Sequence, residues 1–359
     1  MMALRLLADD LSGALDAAAR FVPVAGPVVA VWKPVRVLPW PAAVDAGTRH
    51  LGEWEARRGT RRLASVLDGA EPAFRKIDSL LRGHVGAELA ECLRWFDHCV
   101  IAPAFPAQGR VTAGGRQFRA EGGAWHDVRV DLPALLAAEG IGVTMCAPGD
   151  VAPEGVSLWD AETEAELDAV VGEGRVLSGR VLWCGSAGLA GALAGHFPVG
   201  VPALPEPRLA LIGSDHPVAV AQLSAAWKFV HRIVRGGAEE VAPVARRLAR
   251  GNAAVAVVVP PGASRVAAGE HIARAFARLL AGLDRPGTLI VSGGDTLRAV
   301  CDALGAGWLE VDGEVAPGVA ASVLRGGRWD GLRVVSKSGA FGGSGWLLRM
   351  LAPEGEGVG

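Results

Sequence analysis

The chain is poor in lysine, contains no tyrosine and has no long apolar run. Only four of its 36 basic residues are lysine, so arginine carries almost all of the positive charge. A net charge of −2 and an isoelectric point near 6.5 give no positively charged surface of the kind that binds nucleic acid or acidic membranes. No apolar stretch approaches the roughly 18 residues that span a bilayer, and the apolar start is too short for a secretory signal. We therefore expect no nucleic acid and no membrane among the partners.

Cysteine is also scarce, and its spacing is irregular. The odd number of cysteines, none in a CxxC pattern, argues against a disulfide framework and against structural zinc, and no HxH or HExxH pattern occurs. The sequence thus predicts no metal ligand set and a reducing, cytoplasmic setting. The five cysteines are Cys92, Cys99, Cys146, Cys184 and Cys301.

Short aliphatic runs alternate with Ala- and Leu-rich amphipathic stretches along the whole chain. This alternation is typical of βαβ units and predicts an α/β fold. The length of 359 residues fits two domains better than one. Four prolines within 198–207 remove backbone donors and mark a linker. We predict two domains, 1–200 and 207–359, each a mostly parallel sheet flanked by helices, with an interdomain cleft.

The same patterns place individual elements. Strands are predicted at 4–8, 28–32, 100–102, 142–145, 156–159, 181–184, 209–212, 254–259, 288–291 and 332–336. Helices are predicted at 14–21, 54–66, 86–95, 164–171, 218–227, 241–250, 272–281 and 297–304.

Two adjacent carboxylates, Asp9 and Asp10, follow the first predicted strand, and Ser12 comes two residues later. In open α/β sheets ligands bind beyond the carboxyl ends of the strands. Asp10 or Ser12 could simply cap the next helix, but two adjacent aspartates exceed what a cap requires. One of them is a candidate for accepting a sugar hydroxyl, for holding Mg2+ through water or for acting as a general base. Arg49 follows another apolar run and is a candidate for gripping a carboxylate, although a solvated surface role stays open.

A scarce lysine opens the densest polar segment of the first half. Lys76, Asp78, Ser79 and Arg82 lie within seven residues, next to Gly83 and ahead of a predicted helix. A helix start adds free backbone N–H groups and a positive dipole end, which suits an anionic substrate. The alternative is a surface loop that contains an ordinary ion pair.

A loop rich in proline and glycine follows at 102–115. Its few solvating charges predict a rigid loop at the ligand edge of the sheet. Gln108, Arg110 and Thr112 are its available polar contacts.

Three predicted strands of the second half end in small polar residues, at 211–216, 291–297 and 336–343. Glycines let a backbone approach a phosphate, hydroxyls donate to its oxygens, and a following helix start supplies N–H groups. None of the three segments matches a Walker A or GxGxxG motif, and each alone fits an ordinary tight turn. Together they predict a nucleotide site, in which Asp295 orients Mg2+ or a ribose hydroxyl and Lys337 neutralises phosphate charge. The candidate nucleotide-binding residues are Ser214, Ser292, Gly293, Gly294, Asp295, Thr296, Ser338 and Gly339.

Taken in order, these segments resemble the four-carbon acid sugar kinases, a family typified by threonate, erythronate and 3-oxo-tetronate kinases. The resemblance implies an N-terminal sugar-acid domain, a C-terminal ATP domain and phosphate transfer from ATP to a terminal hydroxyl of a small sugar acid. It also implies that Asp9, Asp10, Arg49, Lys76, Asp78, Ser79 and Arg82 line the acid side. The matching segments are 8–14, 76–89, 103–110, 185–190, 213–214, 293–296 and 337–342.

The chain departs from the family pattern after Gly115. The segment 116–131 is short and contains Trp125, His126 and Asp127 where the family continues through a longer stretch. We therefore expect the acceptor pocket to differ from that of typical members.

From these motifs we expect an ATP- and Mg2+-dependent kinase in which Lys76 and Arg82 clamp the acid. Asp10 or Asp78 would orient the attacking hydroxyl, and Lys337 would act with Mg2+ on the transferred phosphate. Two alternatives stay open, an NAD(P)-linked sugar-acid dehydrogenase and a non-catalytic nucleotide or sugar-acid sensor. A homodimer is also left open by the sequence.

Overall fold

The computed structural model describes residues 2–352, which form two compact units. The first unit runs to Gly200 and the second begins at Val201. The division falls inside the segment with four prolines.

The main sheet of the first unit is entirely parallel, in the order β2-β3-β1-β4-β11-β5-β10-β9. Its central strand β1 is fully buried, as expected for a parallel strand covered by helices on both faces. The strands of this unit are β1 (Arg5–Ala8), β2 (Val28–Val31), β3 (Ala42–Asp45), β4 (Ala73–Lys76), β5 (His98–Ala102), β6 (Arg110–Ala113), β7 (Arg116–Glu121), β8 (Ala124–Asp127), β9 (Thr144–Cys146), β10 (Val156–Trp159) and β11 (Val181–Gly185). Its helices are α1 (Leu11–Ala25), α2 (Glu53–Leu63), α3 (Val85–Cys92), α4 (Leu132–Ala138), α5 (Glu164–Gly174) and α6 (Ala187–Ala194).

The strands that carry the first candidate site end level with one another. In the parallel register Ala8 pairs with both Asp45 and Lys76, and Lys76 also pairs with Gly185. The segments that follow β1, β3 and β4 therefore leave the sheet at the same edge.

A separate antiparallel sheet, β6-β7-β8, covers the short segment for which the sequence predicted no strand. Trp125, His126 and Asp127 lie on its strand β8. Gly122 and Gly123, both with positive φ, make the turn between β7 and β8.

The sheet of the second unit combines parallel and antiparallel strands. The order is β13-β14-β12-β15-β18-β17-β16, with parallel pairs up to β18 and antiparallel pairs beyond it. Its strands are β12 (Arg208–Ile212), β13 (Val230–Ile233), β14 (Ala253–Val257), β15 (Thr288–Ser292), β16 (Trp308–Ala316), β17 (Val319–Arg325) and β18 (Arg333–Lys337). Its helices are α7 (Pro217–Ala225), α8 (Ala238–Leu248), α9 (Arg265–Ala281), α10 (Gly294–Ala303) and α11 (Trp346–Leu351).

The predicted α/β class with mostly parallel sheets flanked by helices is confirmed. The five cysteines are buried. Among residues 2–352, no helix combines the length and the apolar character needed to cross a bilayer. The interdomain cleft stays a prediction.

Candidate active site

Five charged side chains of the first unit form a carboxylate–arginine cluster, defined here as Asp9, Asp10, Arg49, Asp78 and Arg82. Arg49 donates two hydrogen bonds to Asp9, from Nε and Nη2, each 2.7 Å long. Its Nη2 is also 2.8 Å from an oxygen of Asp10, and its Nη1 is 3.8 Å from Asp78. Arg82 donates two hydrogen bonds to Asp78, from Nε and Nη2, each 2.7 Å long. The sequence motifs at 9–12, 49 and 76–83 thus meet at one edge of the sheet.

Local backbone structure holds the cluster in place. Asp10 caps α1, because one carboxylate oxygen accepts from the Gly13 amide at 2.9 Å and the other from the Ser12 hydroxyl at 2.7 Å. Asp10 therefore caps α1 and also belongs to the carboxylate–arginine cluster. Gly83 has a φ of +91°, and a Cβ there would lie 3.2 Å from Asp9, so glycine suits both the turn and the contact.

A buried ion pair lies beneath the cluster on β4. Arg75 Nη2 is 3.0 Å from Glu88 of α3, and both side chains are almost fully buried. The hydroxyls of Thr48 and Thr60 donate to the other oxygen of Glu88. Burying a charge is costly unless it is paired and hydrogen-bonded, and the Glu88 carboxylate meets both conditions. The Arg75 guanidinium is paired with Glu88, but its Nε and Nη2 have no hydrogen-bond partner among the described residues. This network also ties the loop that carries Arg49 to β4.

The cluster keeps Asp9 and Asp78 ionised. Burial alone raises the pKa of Asp78, but the charges of Arg49 and Arg82, with the Arg82 hydrogen bonds, lower it well below its ordinary value. Burial also raises the pKa of Asp9, but Arg49, with smaller contributions from Arg75 and Lys76, lowers it further, so the net direction is down. A carboxylate with so low a pKa is a weak general base, and Asp78 is better suited to orienting and charge balance.

Lys76 ends β4 and is buried. Its Nζ donates to the carbonyl of Ile77 at 2.9 Å and lies 3.3 Å from where a Cβ at Gly13 would stand. The ammonium therefore faces the first turn of α1. The Ser79 side chain is buried as well, and its carbonyl accepts from Gln117 of β7 at 2.9 Å.

Asp16 is a buried carboxyl near the cluster that the sequence analysis missed. It lies on α1 one turn beyond Ser12, is buried, and one of its oxygens has no hydrogen-bond partner among the described residues. Burial raises its pKa to about 6, with Lys76 and Arg20 lowering it and the Asp10 and Asp78 charges raising it. An aspartate inside an otherwise Ala-rich helix was the available sequence signal. The pKa of this carboxyl is closer than that of Asp78 to the value that proton transfer near neutral pH requires.

We predict that Asp16→Asn stabilises the protein relative to the wild type as pH rises. The pKa of Asp16 in the folded protein is above its value in the unfolded chain. Its contribution to the free energy of unfolding is therefore complete below pH 4 and is lost as pH rises through about 6. The difference in unfolding free energy, variant minus wild type, should grow by up to about 3 kcal/mol between pH 4 and pH 7.5. Denaturant unfolding at several pH values measures this difference. Asp68→Asn, at a half-exposed site, is the control, and a flat difference for Asp16→Asn would contradict the prediction.

The glycine turns of the second unit also meet at one sheet edge. Ile212, Ser292 and Lys337 end β12, β15 and β18 in register. The Gly293 amide, with φ at +104°, donates to the Lys337 carbonyl at 2.9 Å. A Cβ at Gly339 would stand 2.7 Å from Ser214 Cβ. The three turns therefore touch, as their predicted positions after neighbouring parallel strands imply.

Thr296 completes this group, because a Cβ at Gly213 would lie 3.1 Å from Thr296 Cβ and overlap its hydroxyl. Helix α10 begins at Gly294, so its free amides point into the same turn. Ser292 is buried, and its hydroxyl has no partner among the described residues. Asp295 lies exposed in the first turn of α10. The Ser338 hydroxyl accepts from the Ala340 amide at 3.4 Å.

Lys337 is directed toward its own loop. Its Nζ donates to the carbonyls of Ser338 and Phe341, each at 3.0 Å, and lies 5.4 Å from the Trp346 ring centroid. Gln222 donates to the carbonyls of Phe341, Gly342 and Gly343. Burial lowers the pKa of Lys337 to about 7. In this arrangement the ammonium holds the glycine-rich loop, and contact with a phosphate would require it to leave those carbonyls.

Over residues 2–352, no group of three or more His, Cys, Asp or Glu side chains is arranged to hold a metal ion. Among the candidate residues, Asp295 is the carboxylate at the glycine turns.

Comparison with known proteins gives the same two-part division. Residues 4–133 match a family model described as a sugar-binding N-terminal domain, and residues 209–347 match one described as a nucleotide-binding C-terminal domain. A D-threonate kinase of Cupriavidus necator is 33% identical, over 94% of this chain and 94% of its own length. A 3-oxo-tetronate kinase of Methylobacterium radiotolerans is 27% identical, over 98% and 99%. A D-erythronate kinase of Heliobacterium modesticaldum is 26% identical, over 84% of each chain.

Solved structures agree on the fold. A Salmonella typhimurium protein superposes with a TM-score of 0.72 at 21% identity, covering 97% of this chain and 98% of its own. A Haemophilus influenzae protein gives a TM-score of 0.67 at 19% identity, covering 95% and 97%.

Proposed function

The chain belongs to the four-carbon acid sugar kinase family, and on that premise we propose that it transfers phosphate from ATP to a terminal hydroxyl of a four-carbon sugar acid. Threonate, erythronate and a 3-oxo-tetronate are the acceptors that the relatives' names suggest. The observation that carries the proposal is the convergence of the glycine turns of the second unit beside the α10 start, a geometry suited to phosphate.

The first unit would hold the acid. The carboxylate–arginine cluster fixes hydrogen-bond acceptors and donors before substrate arrives, as positioning catalysis requires. We assign Asp10 and Asp78 to orienting the acceptor hydroxyls and Lys76 to charge balance near the reacting oxygen. Asp16, one turn along α1, is the group whose pKa best suits receiving the hydroxyl proton.

The second unit would hold the nucleotide. The α10 amides and the hydroxyls of Ser214 and Thr296 are placed to donate to phosphate oxygens. We assign Lys337 a positioning role, because it fixes the 338–343 loop through backbone carbonyls. Mg2+ would arrive with ATP, held mainly by phosphates and water with at most one carboxylate such as Asp295.

A coupled assay of ADP release, run over a panel of four-carbon aldonates and their oxo derivatives, tests the proposal. We expect turnover with at least one sugar acid, dependent on both ATP and Mg2+, and little with the corresponding aldoses. Binding of ATP and a sugar acid without ADP release would instead support the non-catalytic sensor.

The dehydrogenase alternative makes an opposite prediction. NADH, but not ATP with Mg2+, would then protect the protein from thermal unfolding. The absence of a GxGxxG turn from the sequence argues against that outcome.

A further inference from the structure

The buried guanidinium of Arg110, in the first unit, has no carboxylate partner among the described residues. Arg110 begins β6 and is only 9% exposed. Its Nη1 donates to the carbonyls of Gln108 at 2.8 Å and Gly109 at 3.1 Å. Its Nε is buried and has no hydrogen-bond partner among the described residues. Leaving a charged donor buried and unpaired is costly, so an anion is expected at this edge of the side chain.

The unpartnered edge has the geometry for a carboxylate. Arg49 and Arg82 both use Nε together with Nη2 to fork onto an aspartate, and in Arg110 the atom that holds the backbone carbonyls is Nη1. Because Nη1 holds those carbonyls, the Nε and Nη2 edge of Arg110 is the one left for a further acceptor. Two parallel N–H donors match the two oxygens of a carboxylate.

The neighbouring charges do not supply that anion. Arg82 is already forked onto Asp78, and Arg119 is 2.6 Å from Glu121. Burial lowers the pKa of Arg110, Asp78 raises it, and Arg119 and Arg82 lower it, so these groups lie within electrostatic range. In the described part of the chain, the positive charge of Arg110 is left without an ion-pair partner.

Two contacts fix the position of Arg110 relative to the carboxylate–arginine cluster. The backbones of Phe105 and Arg110 exchange hydrogen bonds of 2.8 and 3.1 Å, which closes the loop before β6. Gln117 of β7 accepts from Thr112 of β6 and donates to the carbonyl of Ser79, next to Asp78. Gln117 therefore couples the β6-β7-β8 sheet, which carries Arg110, to the loop that carries Asp78.

We propose that Arg110 receives the carboxylate of the sugar acid through its Nε and Nη2 edge and so selects acids over neutral polyols. The assignment rests on the proposed function, because it names the group that recognises the acid end of that substrate. It moves the acid-binding role from Lys76 and Arg82, which the sequence favoured, to an arginine whose Nε has no hydrogen-bond partner in the described part of the chain.

The test compares D-threonate with threitol, which has a CH2OH group in place of the carboxylate. We expect Arg110→Gln to lower kcat/KM for the acid about 100-fold or more, because one partner of a buried charge pair is lost, and to change the value for threitol less than about threefold. Arg110→Lys should recover part of the loss. Arg116→Gln, which removes a surface arginine paired with Asp127 on the same small sheet, is the matched control and should change neither value. Equal losses for acid and polyol, or no loss for the acid, would overturn the assignment.

Calorimetric titration of D-threonate and D-erythronate without ATP separates this proposal from the kinase proposal. If the wild type binds the acid, Arg110→Gln weakens that binding and neither protein shows turnover, the kinase proposal is contradicted and the acid site is supported. Equal affinity in the wild type and Arg110→Gln, or no wild-type binding of either acid, would remove the acid site itself. Thermal melting of each variant checks that the comparison is between folded proteins.

Discussion

Arg49→Met is expected to destabilise the first unit by about 3–5 kcal/mol and to abolish phosphate transfer. Arg49 contacts Asp9 and Asp10 at 2.7–2.8 Å and Asp78 at 3.8 Å, and all four side chains are buried. Without it, three carboxylates stand close together with one fewer positive charge among them. Removing a single partner from such a group leaves charge uncompensated in a poorly solvated site.

The loss of unfolding free energy in Arg49→Met should depend on pH, and it should be larger at high pH. In the wild type the pKa values of Asp9 and Asp78 are lowered, so their stabilising contribution is complete above pH 4 and is lost as pH falls. In Arg49→Met the burial of Asp9 loses its largest offset, whereas Asp78 keeps Arg82, so the folded pKa of Asp9 rises and stability is lost as pH rises instead. Denaturant unfolding should therefore show a larger difference from wild type at pH 8 than at pH 5. The same deficit at both pH values would contradict this account, and Arg58→Met, at an exposed arginine over the Trp54 ring, is the control.

Gly339→Ala is expected to raise the KM for ATP about 10- to 100-fold while affinity for the sugar acid changes little. The added Cβ would overlap the Ser214 hydroxyl and stand 2.7 Å from Ser214 Cβ, so two of the converging turns must separate. Overpacking of this kind typically costs about 1–3 kcal/mol, and each 1.4 kcal/mol corresponds to tenfold in affinity.

Gly343→Ala is a closely matched control for that variant. It lies four residues further along the same loop, and a Cβ there meets nothing within 4 Å. Steady-state kinetics with ATP varied at saturating acid would measure both variants. An unchanged KM in Gly339→Ala would mean that the glycine turns do not form the nucleotide site.

The sequence predicted the places of the two sites better than the directions of their side chains. Asp9, Asp10 and the glycine turns all follow buried strands, and parallel strands end at one edge, so their convergence could be anticipated. Lys337 also ends such a strand, but spacing alone did not reveal that its ammonium would turn back onto the carbonyls of its own loop. The sequence left two interpretations of Asp78 and Arg82 open, an ordinary ion pair and a site for an anionic substrate. In the structure they form an ion pair and also belong to the carboxylate–arginine cluster.

Some strands escaped the sequence analysis because their stabilising partners are distant. Strand β4 contains Arg75 and Lys76, and charged residues at buried positions argue against a central strand until a partner is known. Glu88, on the following helix, supplies that partner for Arg75. The short β7 and β8 strands carry exposed polar residues, so their antiparallel pairing left no apolar alternation to detect.

The hairpin of β7 and β8 is constrained very differently at its two ends. At its tip, a Cβ on Gly122 or Gly123 would meet nothing within 4 Å, so side-chain volume is available there even though the positive φ angles favour glycine. At its base, Gln117 is buried and joins the Thr112 hydroxyl to the Ser79 carbonyl. Added residues at the outer turn would therefore leave the contact to the Ser79 carbonyl in place, whereas replacing Gln117 at the inner end would leave both the Thr112 hydroxyl and the Ser79 carbonyl without this partner.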